Sequence, residues 1–419
     1  MLIQVEGRHP LNGVYHPGGN PNAALALMAA ALLTEEKSTL RNVPRTLTTQ
    51  ALAEIAEELG TQIDWDTGDM SLTTGQIKRR VISQEDTELS SGALLLAAPL
   101  LIRRQHVRLE IDFPLNRIRT HLEALRDLGI DVVTPGSAVE LNVSSWDKKD
   151  ILLTQASVTA TALVMMLAAR LGKQTTIRNA ATEPHVQELA HLLVAMGAHV
   201  EGIGSNILSI TGTESLKGAE ASIGPNHIEV GSVSAIAAMC GGRVQIEGVR
   251  RADLRMIVRI FRRFGIQIDM DEANLYIPSH EGLSISNREE DVDASIESAP
   301  WPGFPSDLVA VATVVATQTV GTSLIHEKMF ANRLLFVDKL KAMGAQIVLC
   351  DPHRAIVVGP TRLLGGYMDT PDIRAGLGML AAALVAEGVT QIDNGQVLAH
   401  TFGDVLDKLT ALGARIIPA

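Results

Sequence analysis

One pattern, written six times, constrains this chain more than any other feature. A helix-like run ends in an apolar residue, a glycine follows, and an alternating apolar strand comes next: EELGTQIDW, RDLGIDVVT, VAMGAHVEG, RRFGIQIDM, KAMGAQIVL and TALGARIIP. The glycines are Gly60, Gly129, Gly197, Gly265, Gly344 and Gly413, spaced 69, 68, 68, 79 and 69 residues apart. Self-similarity at a near-constant period marks a chain built from one unit used repeatedly. Each glycine stands where a helix ends in the left-handed conformation, which strains any residue with a side chain.

A second element precedes each copy. It is a nearly all-apolar helix leading into a strand, as in ALALMAAALL before STLRNV, ATALVMMLAARL before KQTTIRNA and DLVAVATVVATQ before GTSLIHE. A helix apolar on every side must be buried, whereas the amphipathic LAEIAEEL, IRTHLEALRDL and FVDKLKAM should each cover an outer face. One unit therefore reads buried helix, strand, amphipathic helix, glycine cap, strand and a further strand. The fold class is α/β, with six βαβαββ-type units grouped three to a domain of about two hundred residues. The strands LIQVEG and LNGVYHP come before the first complete unit, and the last unit lacks its closing strand pair, so the two ends should pair. The expected division is 1–20 plus 229–419 as a C-terminal domain, with 21–228 as an inserted one. The crossings fall in HPGGNPN and IGPNHIE, whose Gly, Pro and Asn suit a hinge.

Composition narrows the partners. The chain is 46% apolar but 3% aromatic, which fits closely packed buried helices and argues against aromatic platforms for nucleic acid. A formal charge of −11 disfavours nucleic acid as a general partner, although a few arginines can still bind an anion locally. The longest apolar stretches, 307–317 and 375–386, are too short for a membrane span, and no signal-peptide pattern opens the sequence. Cys240 and Cys350 both lie in apolar segments, so a reducing cytoplasm without a disulfide framework is expected. No metal-ligand spacing occurs, and no cofactor is implied. Oligomeric state has no signature in the sequence.

Chemistry is expected where the buried helices begin. Those starts carry small or polar residues: Asn20-Pro21-Asn22, Ser90-Ser91-Gly92, Ser157-Val158-Thr159, Gly231-Ser232, Ser306-Asp307 and Asp372 through Gly376. Helix N-termini favour anions, and three-unit symmetry would turn them to one side of each domain, towards a cleft for phosphorylated small molecules. Taken singly, each start also reads as an ordinary N-cap.

The six-unit pattern, together with NPNAALALMAAALL, NAATEPHVQELAHLLVAMGAH, APWPGFPSDL, FANRLLFVDKLKAMGA and PDIRAG, resembles the enolpyruvyl transferases over essentially the whole chain. The resemblance implies the family's two-domain inverse α/β barrel. It also implies transfer of the enolpyruvyl group of phosphoenolpyruvate to a hydroxyl. The acceptor implied by the resemblance is the 3-hydroxyl of UDP-N-acetylglucosamine, in peptidoglycan precursor synthesis. By the same resemblance Asp307 handles protons in catalysis. Arg333 and Arg374 hold phosphoenolpyruvate's carboxylate and neighbouring groups, a task suited to the planar fork of arginine. Asn22, Gln155, Ser157, Val158, Glu183, Met329 and His121 match nucleotide-sugar and substrate contacts.

Several positions depart from the family pattern. The lysine that meets the phosphate is replaced by Pro21, and a family arginine falls on Ser91. The loop that carries the family's general acid reads Asp112-Phe113-Pro114-Leu115-Asn116, shortened and without cysteine, which leaves Asp112 as its candidate acid. His16, Arg117, Arg119 and His400 are the substitutes available for the missing positive groups. Two functions therefore compete: an active transferase with a rearranged anion site, and a paralogue that binds a nucleotide sugar or other anion without enolpyruvyl transfer. A shikimate-type acceptor fits the Asn22 and Glu183-Pro184 contexts less well. An RNA-cyclase reading conflicts with the acidic charge and six complete copies.

Overall fold

In the computed structural model, which describes residues 2–111, 113–285, 295–369 and 375–418, the chain forms two compact units. One comprises Met1–Gly18 with Pro225–Ala419, and the other Gly19–Gly224. Each is an inverse α/β barrel, with its all-apolar helices inside and sheets outside.

The repeat governs the sheets as strongly as the helices. Among the described residues, three sheets belong to each unit, and all six share one plan. The strand that follows a buried helix pairs in parallel with an edge strand on one side and antiparallel on the other, and a last antiparallel strand completes the sheet. In the Gly19–Gly224 unit, for instance, Ser38–Arg41 lies parallel to Glu220–Ser222 and antiparallel to Asp69–Thr74, which pairs in turn with Thr61–Asp66. In the other unit the N-terminal strands fill two vacancies. Ile3–Glu6 runs antiparallel between Val389–Asp393 and Arg415–Pro418. Leu11–Tyr15 runs parallel to Gly242–Glu247.

The helices inside the barrels are Pro21–Ala31, Ala97–Arg104, Val158–Leu171, His227–Cys240, Val309–Gln318 and Gly376–Val385. Their alanine-rich faces let backbones approach closely. At Gly378 an added Cβ would lie 2.7 Å from the Cβ of Ala310 and 2.9 Å from its carbonyl carbon. The helices that carry the alternating charge pattern, such as Leu47–Leu59 and Arg119–Leu128, lie outside and bury one face. All six repeat glycines have positive φ, from 81° at Gly265 to 110° at Gly413. There a side chain would be strained.

The structure corrects one helix start and refines another. Gly231-Ser232 do not open the fourth buried helix. It begins at His227, behind an Asn226 cap, and both residues lie buried one turn inside it. Asn226 is the stronger cap because its side chain accepts the amide of Ile228 at 3.2 Å. The second buried helix opens as a 3₁₀ turn, Ser91–Leu96, before continuing as Ala97–Arg104. Pro99 cannot donate an amide to the preceding turn, which accounts for the tighter start.

Where the chain leaves each unit it is tied down by a carboxylate. Within the first unit the amide of Gly18 meets both oxygens of buried Glu229, at 3.2 and 3.3 Å, and Tyr15 donates its hydroxyl to the same group at 2.6 Å. Burial pushes the Glu229 carboxyl up, against the pull of Lys408, whose ammonium lies 3.6 Å away. Within the second unit Glu188 accepts the amide of Gly224 at 3.1 and 3.2 Å. Among the described residues, no helix is long and apolar enough to cross a membrane.

Candidate active site

In the Gly19–Gly224 unit, the first buried helix starts from a rigid corner. A Cβ on Gly19 would lie 2.1 Å from the carbonyl oxygen of Asn42, so only glycine fits. Asn20 is buried, and its side-chain oxygen accepts the amides of Asn22 at 2.9 Å and Ala23 at 3.2 Å. Two donors that could have met an anion are thus taken by the cap itself. Pro21 is buried at the first helical position, and the Asn22 side chain is exposed. Capping recurs at the other starts: Ser90 accepts Gly92 N at 3.3 Å and Ser157 accepts Ala160 N at 3.3 Å.

The third buried helix gathers several expected positions. The Ser157 amide donates to the carbonyl of exposed Gln155 at 2.8 Å. The Ser157 carbonyl accepts the hydroxyl of Thr161 at 2.7 Å, and that hydroxyl accepts the amide of Ala181 at 3.0 Å. This relay ties the start Ser157-Val158 to the segment that ends in Glu183, which is half-buried ahead of the helix Pro184–Ala195. His121 joins the same region through Nε2, 2.7 Å from the hydroxyl of Thr159. Burial lowers the His121 pKa to about 4, so the ring is neutral at neutral pH.

The arginines offered as substitutes differ in what engages them. Arg119 is exposed and donates to Glu123 at 2.6 Å, while the second oxygen of Glu123 accepts the hydroxyl of Thr154 at 2.9 Å. Arg117 is exposed on the 3₁₀ turn Leu115–Ile118. Ser91 opens the 3₁₀ turn of the second buried helix. Asp112 lies outside the described residues, as does Arg374.

In the other unit, Asp307 and Arg333 come together. Arg333 Nη1 donates to Asp307 Oδ1 at 2.9 Å; the arginine side chain is 9% exposed and the aspartate 39%. The guanidinium also lies 4.5 Å from the ring centroid of Phe330, a second restraint on its plane. Asp307 does not cap its helix. The N-cap position is Pro305, and Asp307 sits inside the 3₁₀ turn Ser306–Leu308. Met329 is half-buried four residues before Arg333, and His400 is half-buried on the helix Gln396–Phe402.

Sequence reasoning missed two groups beside this pair. His227 is buried, packs edge-on against Trp301 with centroids 5.4 Å apart, and lies within the electrostatic reach of Asp307. Burial outweighs that carboxylate and lowers the His227 pKa to about 4. The repeat itself could have found it, because His227 follows the Asn226 cap as Pro21 follows the Asn20 cap. The second is Glu327, fully buried, which accepts the hydroxyl of Ser306 at 2.6 Å next to Asp307.

Comparison with known proteins gives the family and the fold. The family profile described as EPSP synthase (3-phosphoshikimate 1-carboxyvinyltransferase) matches residues 5–409. The chain is 42% identical to a UDP-N-acetylglucosamine 1-carboxyvinyltransferase from Bradyrhizobium diazoefficiens, a match covering 98% of this chain and 96% of that protein. It is 37% identical to the protein of the same name from Borreliella burgdorferi, over 98% of this chain and 97% of the other. Among solved structures, the enolpyruvyl transferase NikO from Streptomyces tendae superposes with a TM-score of 0.88 at 21% identity, over 99% of this chain and 98% of that one. That last likeness speaks for the fold.

Proposed function

The chain belongs to the EPSP synthase family of enolpyruvyl transferases, and on that premise we propose that it transfers the enolpyruvyl group of phosphoenolpyruvate to the 3-hydroxyl of UDP-N-acetylglucosamine. The observation that carries this reading is the Asp307–Arg333 pair. Its arginine is fixed by burial and by Phe330, and its carboxylate is the accessible member, where a substrate hydroxyl can reach it.

In this mechanism Asp307 takes the proton of the acceptor hydroxyl as its oxygen bonds to C2 of phosphoenolpyruvate, and C3 gains a proton from the candidate loop acid Asp112. The carboxylate so formed then takes a proton back from C3, which expels phosphate and restores the double bond. Arg333 keeps Asp307 aimed through their 2.9 Å contact, and Arg374 and His400 meet the carboxylate and phosphate of the donor. The segments around Asn22, Ser157-Val158 and Glu183, with His121 bracing the third buried helix, hold the nucleotide sugar. Both substrates are water-soluble metabolites of the cytoplasm, where we place the reaction.

Pro21 shapes the energetics of this site. By the resemblance it stands in place of the family's phosphate-binding lysine, and the neutral rings of His121 and His227 do not replace that charge. A charge-assisted hydrogen bond contributes about 1.5–3 kcal/mol, so donor binding should be weaker by about ten- to a hundredfold than with the lysine present. Phosphate release measured with both substrates tests the assignment. Turnover that falls by about a thousandfold or more in Asp307→Ala supports it, and turnover indifferent to Asp307 rules the proposed role out.

A further inference from the structure

We infer that Glu327 is a positioning residue that sets the geometry of Asp307 and Arg333, through one carboxylate that holds both of the segments carrying them. The inference rests on the function proposed above for that pair. Glu327 directly follows the strand Thr319–His326 and is 0% exposed. Its main chain is pinned to His353: its amide donates to the His353 carbonyl at 2.8 Å, and its carbonyl lies 2.8 Å from His353 Nδ1.

The side chain then reaches two ways. Oε2 accepts the hydroxyl of Ser306 at 2.6 Å, one residue before Asp307. Oε1 accepts the amides of Met329 at 2.8 Å and Phe330 at 3.1 Å, the start of the loop that leads to Arg333. Oε1 also accepts the hydroxyl of Ser298 at 2.7 Å, and Ser298 is oriented for this because its oxygen accepts the Lys328 amide at 2.9 Å. The contacts close a ring. Glu327 holds Ser306, Asp307 beside it holds Arg333 at 2.9 Å, Arg333 lies over Phe330, and the Phe330 amide returns to Glu327.

A ring of this kind does more than fill a buried space. A dry carboxylate must be surrounded by donors, and many residues could supply them. Here two of the four donors, Ser306 and the Phe330 amide, come from the residues next to or beneath the ion pair. Displacing either segment by a fraction of an ångström changes how Asp307 meets a hydroxyl, and small misplacements of reacting groups cost about a hundredfold in rate.

The test is a small set of variants of the full chain, each assayed for kcat, for KM with UDP-N-acetylglucosamine, and for melting temperature. Ser306→Ala cuts the ring without emptying the core. It should lower kcat by about ten- to a hundredfold with KM for the nucleotide sugar unchanged. Ser306→Thr, which restores the hydroxyl, should recover most of kcat. Thr313→Val removes another buried hydroxyl of the fifth buried helix, one that bonds the Val309 carbonyl, and should lower melting without the kcat loss. A Ser306→Ala enzyme with wild-type kcat, or a kcat loss in Thr313→Val as large as in Ser306→Ala, overturns the inference. Crystal structures of wild type and Ser306→Ala separate this from the assigned reaction. If wild type shows no turnover, the proposed reaction fails, and positioning is judged on the Arg333–Asp307 contact alone. Loss of that contact in the variant upholds the inference, and its retention at 2.9 Å overturns it.

Discussion

Charge at the candidate positions is sorted by burial rather than by residue type. Arg119 and Glu123 pair on the surface, where such contacts contribute little. Arg333, nearly buried, is bonded to a carboxylate and stacked on a ring, which fixes its direction. The two histidines near the candidate residues have gone the other way, each with its pKa lowered to about 4 by burial. This has a consequence for stability. The unfolded chain binds a proton at each histidine below about pH 6.5, while the folded chain resists until about pH 4. Their contribution is therefore complete above about pH 6.5 and declines as pH falls, by about 1.4 kcal/mol per histidine per pH unit. Urea unfolding between about pH 7.5 and 5 should show this slope, reduced by about one proton's worth in His227→Asn. A slope unchanged in that variant would contradict the burial assigned to His227. Pro21→Lys is the complementary change. It should lower KM for phosphoenolpyruvate by about ten- to a hundredfold if the rest of the anion site is in place. An unchanged KM would show that the position no longer faces the donor.

Elements account for what could be read in advance and what could not. The six glycines were legible because a left-handed helix end admits few residues, and all six have positive φ. The buried helices were legible because an all-apolar helix has one destination. The start of the fourth was not, since GSVSAIAAMC looks like the whole helix until Asn226 is seen to cap five residues earlier. Glu327 was hidden for a different reason. A glutamate after an apolar strand reads as a solvated strand end, and only tertiary structure brings Ser298 and Ser306 to it. Helix spacing gives the prediction at this level. Gly378 faces the backbone of Ala310 with no room for a methyl group, so Gly378→Ala should destabilise by about 1–3 kcal/mol through overpacking, despite alanine's better helix propensity. Thermal melting decides it: a rise in melting temperature would mean that the two helices have slack.

At the scale of the molecule, the repeat explains why one architecture can keep its form while its chemistry shifts. Among the described residues, six sheets of one plan and six buried helices are held by core packing, which accommodates Pro21 because proline suits the first turn of a helix. The candidate positions lie at helix starts and in adjoining loops, where replacement costs the fold little. The resemblance to the enolpyruvyl transferases was thus readable across the whole chain, whereas the working state of the anion site depends on a few residues, among them Arg374, that pattern alone does not place. The direct test of the account is phosphorus NMR of the purified protein mixed with phosphoenolpyruvate and UDP-N-acetylglucosamine. The account predicts inorganic phosphate appearing together with an enolpyruvyl ether of the nucleotide sugar, and neither when one substrate is omitted. A protein that binds UDP-N-acetylglucosamine yet leaves the phosphoenolpyruvate signal untouched would contradict it.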